Sequence, residues 1–246
     1  MKRQTETLGG LQCIVIDELP DGVPPKHVVV MCHGFGAPGS DLVPIGAESL
    51  RAFPALAEGV QFVFPAALLS LADQGMPGGR AWWPLNLEER LQAIASGDLR
   101  ILRKEYPPGL DEAAQALSAC IREIQSTRDV SSEAITLSGF SQGGMLVTHV
   151  ALESAEPFAG LAVFSGTLIC EDRWKERLAD HTPLPVLLSH GTQDPILPFA
   201  AAEWLRDLLQ SAGWPVEFIE FNGPHTISQS ALIAFAKRLE DALTRG

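Results

Sequence analysis

The chain has 246 residues, 46% of them hydrophobic and 20% charged, with a formal net charge of −12 at pH 7. That length suits one α/β domain, a class in which single domains of about 200–250 residues are common, and the composition excludes an intrinsically disordered chain. The acidic balance argues against nucleic acid or an anionic membrane surface as a partner.

In chain order, Met1-Lys2-Arg3-Gln4-Thr5-Glu6 has positive charge with no apolar stretch behind it, so a secretory signal is not expected. No apolar run reaches the roughly 20 residues that span a bilayer. Strands are predicted at Cys13–Ile16, His27–Cys32, Gln61–Pro65, Ala134–Ser138, Gly160–Phe164, Pro185–His190 and Val216–Phe221. Helices are predicted at Leu42–Leu56, Gly109–Arg128, Gln142–Ser154, Phe199–Ala212 and Ile227–Thr244. The later strands are continuously apolar, as in Val186-Leu187-Leu188, which fits a sheet covered by helices on both faces. Alternating strands and helices define a mostly parallel α/β sheet over residues 1–246, with reactive groups expected beyond the C-terminal strand ends.

One region breaks the rhythm. From Ala66 to Pro108 no strand is predicted. A Gly/Pro patch (Gly75-Met76-Pro77-Gly78-Gly79) precedes Trp82-Trp83-Pro84 and an amphipathic stretch from Leu87 to Tyr106. An excursion of that length in a compact domain is usually functional, and its aromatics argue against disorder.

The most informative segment is Gly139-Phe140-Ser141-Gln142-Gly143, between an apolar run and a helix-forming run. Strand, sharp turn and helix are what a nucleophile elbow requires, and glycine on either side of the serine removes steric clashes at the turn. A serine hydroxyl needs a base, usually a histidine oriented by a carboxylate, and on elbow-bearing folds these follow in the order Ser, acid, His. Of the histidines after Ser141, His149 lies two turns into the following helix. His181 precedes a strand, and His190 lies only four residues before the best acid. His225 follows the last strand, in Asn222-Gly223-Pro224-His225-Thr226, and takes the role of base. A lone loop histidine is ordinarily a solvated residue; chain order and placement favour the triad here.

Asp172, Asp180 and Asp207 read as solvated charges. Asp194, just beyond the strand ending at His190, is the expected acid, although an aspartate before Pro195 also suits a plain turn. The oxyanion donors are expected to be the amides of Gln142 and of Phe35, in the His33-Gly34-Phe35-Gly36 loop that follows an early strand.

Five ordered motifs together resemble the phospholipase/carboxylesterase family of small α/β-hydrolase serine esterases, which includes the acyl-protein thioesterases. They are His33-Gly34-Phe35-Gly36, Gly139 to Gly144, Phe164-Ser165-Gly166, His190 to Pro198 and Gly223 to Ile227. The resemblance runs from about residue 28 to the C-terminus. It implies the same assignments: nucleophile Ser141, partners Asp194 and His225, oxyanion amides Phe35 and Gln142. The family usually has leucine where Phe35 stands, so this ring is expected to narrow the acyl pocket. The family's Trp-aromatic-Asp element reads Trp82-Trp83-Pro84-Leu85-Asn86 here and precedes a longer helical insertion. Trp82 or Trp83 is expected to line the acyl pocket, with anchoring of the excursion to the core as the competing expectation.

The expected function is cofactor-free hydrolysis of a carboxylic ester through an acyl-enzyme. A thioesterase or lysophospholipase would use the same groups; a peptidase on this fold and a non-catalytic module that kept it are more distant readings. The cysteines Cys13, Cys32, Cys120 and Cys170 have no metal-ligand spacing, and no His/Asp/Glu cluster suggests a metal. Cys32 and Cys120, in apolar settings, read as buried reduced thiols, and a cytoplasmic location is expected. The oligomeric state is left open, a homodimer included.

Overall fold

Strand β3 (His27–Cys32) is buried along its whole length, and its side chains divide strictly between two cores. Val28, Val30 and Cys32 enter one apolar cluster, while Val29 and Met31 enter the other. This period-2 alternation explains why the strand is apolar throughout: both of its faces are covered. The computed structural model describes residues 1–85 and 100–245, and the account below is of those residues.

Around β3 runs an eight-stranded sheet in the order β1-β2-β4-β3-β7-β8-β9-β10. Its strands are β1 (Lys2–Leu8), β2 (Leu11–Asp17), β4 (Val60–Pro65), β7 (Ile135–Phe140), β8 (Gly160–Phe164), β9 (Val186–Gly191) and β10 (Val216–Phe221). From β4 through β10 every pairing in this sheet is parallel; β1 and β2 form an antiparallel edge. The helices are α1 (Val43–Ala52), α2 (Pro54–Ala57), α3 (Arg100–Lys104), α4 (Leu110–Arg128), α5 (Gln142–Glu153), α6 (Glu171–Leu178), α7 (Phe199–Ser211) and α8 (Gln229–Arg245). Residues of α1 and α8 pack in the cluster with Val29 and Met31, and those of α4, α5, α6 and α7 in the other.

Several expectations are corrected. The single helix predicted at Leu42–Leu56 is two, because Phe53 is extended and Pro54 starts a new turn. Strand β1 was not predicted: its Lys-Arg-Gln-Thr-Glu sequence suits an exposed edge rather than a buried strand. Helix α6, Glu-Asp-Arg-Trp-Lys-Glu-Arg-Leu, was missed for the same reason, since only Glu171, Trp174 and Leu178 turn inward. The excursion does contain strand: β5 (Leu69–Ser70) pairs antiparallel with β6 (Arg80–Ala81). Of the amphipathic stretch from Leu87 to Tyr106, residues 87–99 lie outside the described residues. Its far end, α3, is tied down by Arg103. This residue forms a two-pronged ion pair with the buried Glu171, with its Nε donating to Oε2 at 2.5 Å. Arg103 is the main cause holding the Glu171 carboxyl at about 2, against the opposing effect of burial and with help from Lys175.

At the opposite end of β3, His27 is buried, with Nε2 2.8 Å from Thr136 Oγ1 of β7. Burial lowers its pKa to about 4. The unfolded chain, at about 6.5, therefore takes up the proton first. Stability is constant above that value and falls as the pH drops from about 6.5 towards about 4. From His27 alone the loss should approach about 3 kcal/mol. His33 and His149 are shifted downward by burial too and steepen the same slope. Urea unfolding at pH 7 and pH 4.5 checks this: the midpoint should drop sharply, and less so in His27→Gln. An equal midpoint at both pH values would refute it.

Candidate active site

Six parallel strands end on one side of the sheet, and the loops beyond them bring together residues far apart in sequence. Beyond β7 the chain turns at Ser141, whose φ of 54° and ψ of −118° place a non-glycine residue in the left-handed half of the map. Such a conformation costs about 1–3 kcal/mol and persists only where the surroundings enforce it. Enforcement is visible. Ser141 N–H donates to Phe164 O of β8 at 2.8 Å, and Ser141 O accepts from Met145 N–H at 3.1 Å as α5 begins.

The flanking glycines are required by close approach. A Cβ on Gly143 would lie 2.2 Å from Cys32 O, and one on Gly139 would lie 2.4 Å from the Gly143 backbone. The elbow is thus pressed against the end of β3, as the glycine spacing in the sequence implies. Ser141 is 9% exposed.

Asp194 and His225 meet across adjacent strand ends. His225 Nδ1 lies 2.6 Å from Asp194 Oδ2, and the Asp194 carboxylate is shielded from solvent while the imidazole is slightly exposed. The loops that carry them touch: a Cβ on Gly191 would fall 2.3 Å from Gly223 O, and Thr192 N–H donates to Phe221 O at 2.8 Å. Ser165 Oγ donates to Thr226 O at 2.8 Å, fixing the His225 loop to the end of β8. The His225 ring packs on Phe140, the residue before Ser141, at a centroid separation of 4.8 Å. With Nδ1–H committed to a carboxylate, the Nε2 lone pair of such an imidazole is left free to accept a proton.

The Asp194 carboxylate serves both purposes weighed from the sequence. Oδ1 accepts from Ile196 N–H at 2.8 Å and Leu197 N–H at 2.9 Å, the turn role; Oδ2 faces His225. Burial alone would raise its pKa, but the bonds from His190, His225 and the Leu197 amide outweigh this and hold it well below the ordinary carboxylate range.

His190 was set aside as too close in sequence to face Asp194. Yet its Nε2 lies 3.2 Å from Asp194 Oδ2 and 2.9 Å from Leu197 O. The loop folds back so that the carboxylate is approached from both sides, and His190 is wholly buried on the inner side. Nothing in sequence spacing encodes that fold-back. Among the described residues His190 Nδ1 has no partner. His149 sits elsewhere, accepting from Trp174 Nε1–H at 3.2 Å, and His181 lies with its Nδ1 2.9 Å from Thr182 O.

Phe35 occupies the loop after β3, and a Cβ on its neighbour Gly34 would lie 3.3 Å from Ser141 Cβ, so this loop borders the elbow. Gln142 opens α5, ahead of the first intrahelical bond, where amide N–H groups lack carbonyl partners. Trp82 and Trp83 are buried, at 1% and 0% exposure, within the larger core cluster. Trp82 Nε1–H donates to His33 O at 2.9 Å. Trp82 is thereby tied to the loop after β3, while Trp83 Nε1 has no partner among the described residues.

A mostly parallel sheet with a strained serine at a strand-to-helix elbow defines an α/β-hydrolase. Residues 19–242 match the phospholipase/carboxylesterase family model, and the chain belongs to that family of carboxylic-ester hydrolases. It is 26% identical to acyl-protein thioesterase 1 of Emericella nidulans over 229 residues, which covers 89% of this chain and 91% of that protein. To acyl-protein thioesterase 1 of Eremothecium gossypii it is 32% identical over 183 residues, covering 73% and 71%. Among solved structures, esterase PE8 superposes with a TM-score of 0.77 at 26% identity, covering 98% of this chain and 100% of that one. A carboxylesterase from Mesorhizobium loti, at 16% identity and a TM-score of 0.70, shares the fold.

Proposed function

We propose that Ser141 is the nucleophile, His225 its base and Asp194 the orienting acid of a single-domain esterase that works through an acyl-enzyme. The contact of His225 Nδ1 with the buried Asp194 carboxylate, at 2.6 Å, carries this reading. Ser141 Oγ attacks the acyl carbon as its proton passes to His225 Nε2. The tetrahedral oxyanion is held by the N–H groups of Phe35 and Gln142. His225 then protonates the departing alcohol. Water, deprotonated by His225, attacks the acyl-serine, and collapse of the second tetrahedral intermediate frees the acid and restores Ser141.

A thioester is the second reading. It needs the same groups with a thiol departing, and relatives named acyl-protein thioesterase favour it. The proposed location is the cytoplasm, in keeping with four buried cysteines that are all free thiols.

Labelling with a fluorophosphonate, mapped to Ser141, tests the nucleophile. Rates over p-nitrophenyl esters of rising chain length, beside an acyl-thioester, sort the substrates. Failure of Ser141 to label in folded, ester-hydrolysing protein would overturn the assignment. Full burial leads us to expect that Trp83→Ala loses about 3–5 kcal/mol of stability with chain-length preference retained. A shifted preference at unchanged Tm would instead make Trp83 part of the acyl pocket.

A further inference from the structure

The two proposed oxyanion donors come from segments more than a hundred residues apart, yet a polar chain through the buried interior joins them. Gln142 Oε1 accepts from Trp82 N–H at 2.9 Å, and Gln142 Nε2–H donates to Trp83 O at 2.9 Å. The side-chain amide thus bonds the backbone of two consecutive residues, 82 and 83, at the bend that follows β6. Trp82 Nε1–H donates to His33 O at 2.9 Å, and the two rings lie 5.5 Å apart.

His33 completes the connection. Its Nε2 accepts from Ala67 N–H at 3.1 Å, so the ring proton is on Nδ1, which donates to Gly34 O at 2.8 Å. Gly34 C=O and Phe35 N–H belong to the same planar trans peptide and point in opposite directions. Binding the carbonyl therefore sets the direction of the Phe35 N–H, and polarises it. On the other side of Phe35, Gly36 N–H donates to Arg80 O at 2.9 Å and Ala37 O accepts from Arg80 N–H at 3.1 Å. Gln142, Trp82 and His33 are each 1% exposed.

We propose that the side chains of Gln142, Trp82 and His33 form one buried brace that fixes the spacing and aim of the Phe35 and Gln142 N–H groups. These side chains are positioning residues, and the proposal rests on the oxyanion reading given above. Trp82 acts through its indole N–H, without touching substrate. An oxyanion donor matters more in the transition state than in the bound ester, so the brace should govern kcat far more than KM.

Trp82→Phe keeps an aromatic ring and removes the N–H to His33; Gln142→Met keeps the side-chain length and leaves the backbone amide in place. Turnover is expressed per serine labelled by exhaustive fluorophosphonate treatment, which removes any misfolded fraction. Each variant should lose about 10- to 100-fold in kcat with KM nearly constant, since displacements of about 1 Å can cost 10². Affinity for an alkyl boronic acid, a tetrahedral mimic, should fall in step with kcat/KM. The double variant should be little worse than either single one. Wild-type kcat per labelled serine in Trp82→Phe, or a loss confined to KM, would overturn the brace. Should Gln142→Met not fold, the wild-type protein still decides. The Trp82 indole 15N–1H resonance should move when the boronate occupies the site, and an unmoved resonance overturns the proposal. Failure of the underlying mechanism shows separately, as a wild-type Ser141 that does not label.

Discussion

Ser141→Ala is expected to lower kcat for ester hydrolysis on the order of 10⁴-fold or more, with melting temperature nearly unchanged. In the proposed mechanism the hydroxyl oxygen forms the acyl bond, and alanine offers nothing in its place. Its removal should be structurally quiet, because the serine's backbone, not its hydroxyl, makes the local bonds: N–H to Phe164 O and O from Met145 N–H. Alanine would inherit the same strained φ of 54°, so the strain is common to both proteins and cancels in the comparison. The measurement is single-turnover release of p-nitrophenol alongside thermal unfolding. Turnover by the Ala variant at the wild-type rate, in protein freed of contaminating esterase, would remove Ser141 from the mechanism.

The elbow was legible in the sequence because sterics leave so little choice there. Glycines at 139 and 143 announce backbone contacts of 2.4 and 2.2 Å that only a missing Cβ permits. Strands β3, β8 and β10 were legible to the residue, because burial on both faces leaves β3 and β8 free of charged residues, and β10 stays mostly apolar around Glu217 and Glu220. The pairing of Asp194 with His225 could be anticipated from chain order, since both follow strands that lie side by side. What could not be read depends on chain reversals. His190 reaches Asp194 because the loop from 191 to 197 folds back on itself, and Gln142 reaches residues 82–83 because the excursion returns to the elbow. Elements that keep only one to three side chains buried, such as β1 and α6, also escaped, because their sequences are indistinguishable from solvated loops.

Asp194→Asn should lower kcat by about 10³- to 10⁴-fold, and the reason can be followed atom by atom. Oδ1 is held by two backbone donors, Ile196 and Leu197, so in the variant the amide oxygen is kept at that position. The amide NH₂ must then occupy the place of Oδ2, facing His225 Nδ1 and His190 Nε2. A donor facing a donor forces His225 to shift its proton to Nε2, the nitrogen that must accept the serine proton. The base is then present in the wrong tautomer. Asp194 in the native protein avoids this over the whole working range, because its neighbours hold its pKa low and keep it ionised. A carboxyl with a depressed folded pKa lends stability above its unfolded value of about 3.9, and that contribution is lost as the pH falls towards the folded one. His225→Ala should lose on the order of 10⁴-fold or more, and Ser141→Ala/His225→Ala should be little worse than either single change, because the three groups act as a unit. Full multiplication of the two single losses, or an active His225→Ala beside an inactive His149→Gln, would show that the base lies elsewhere.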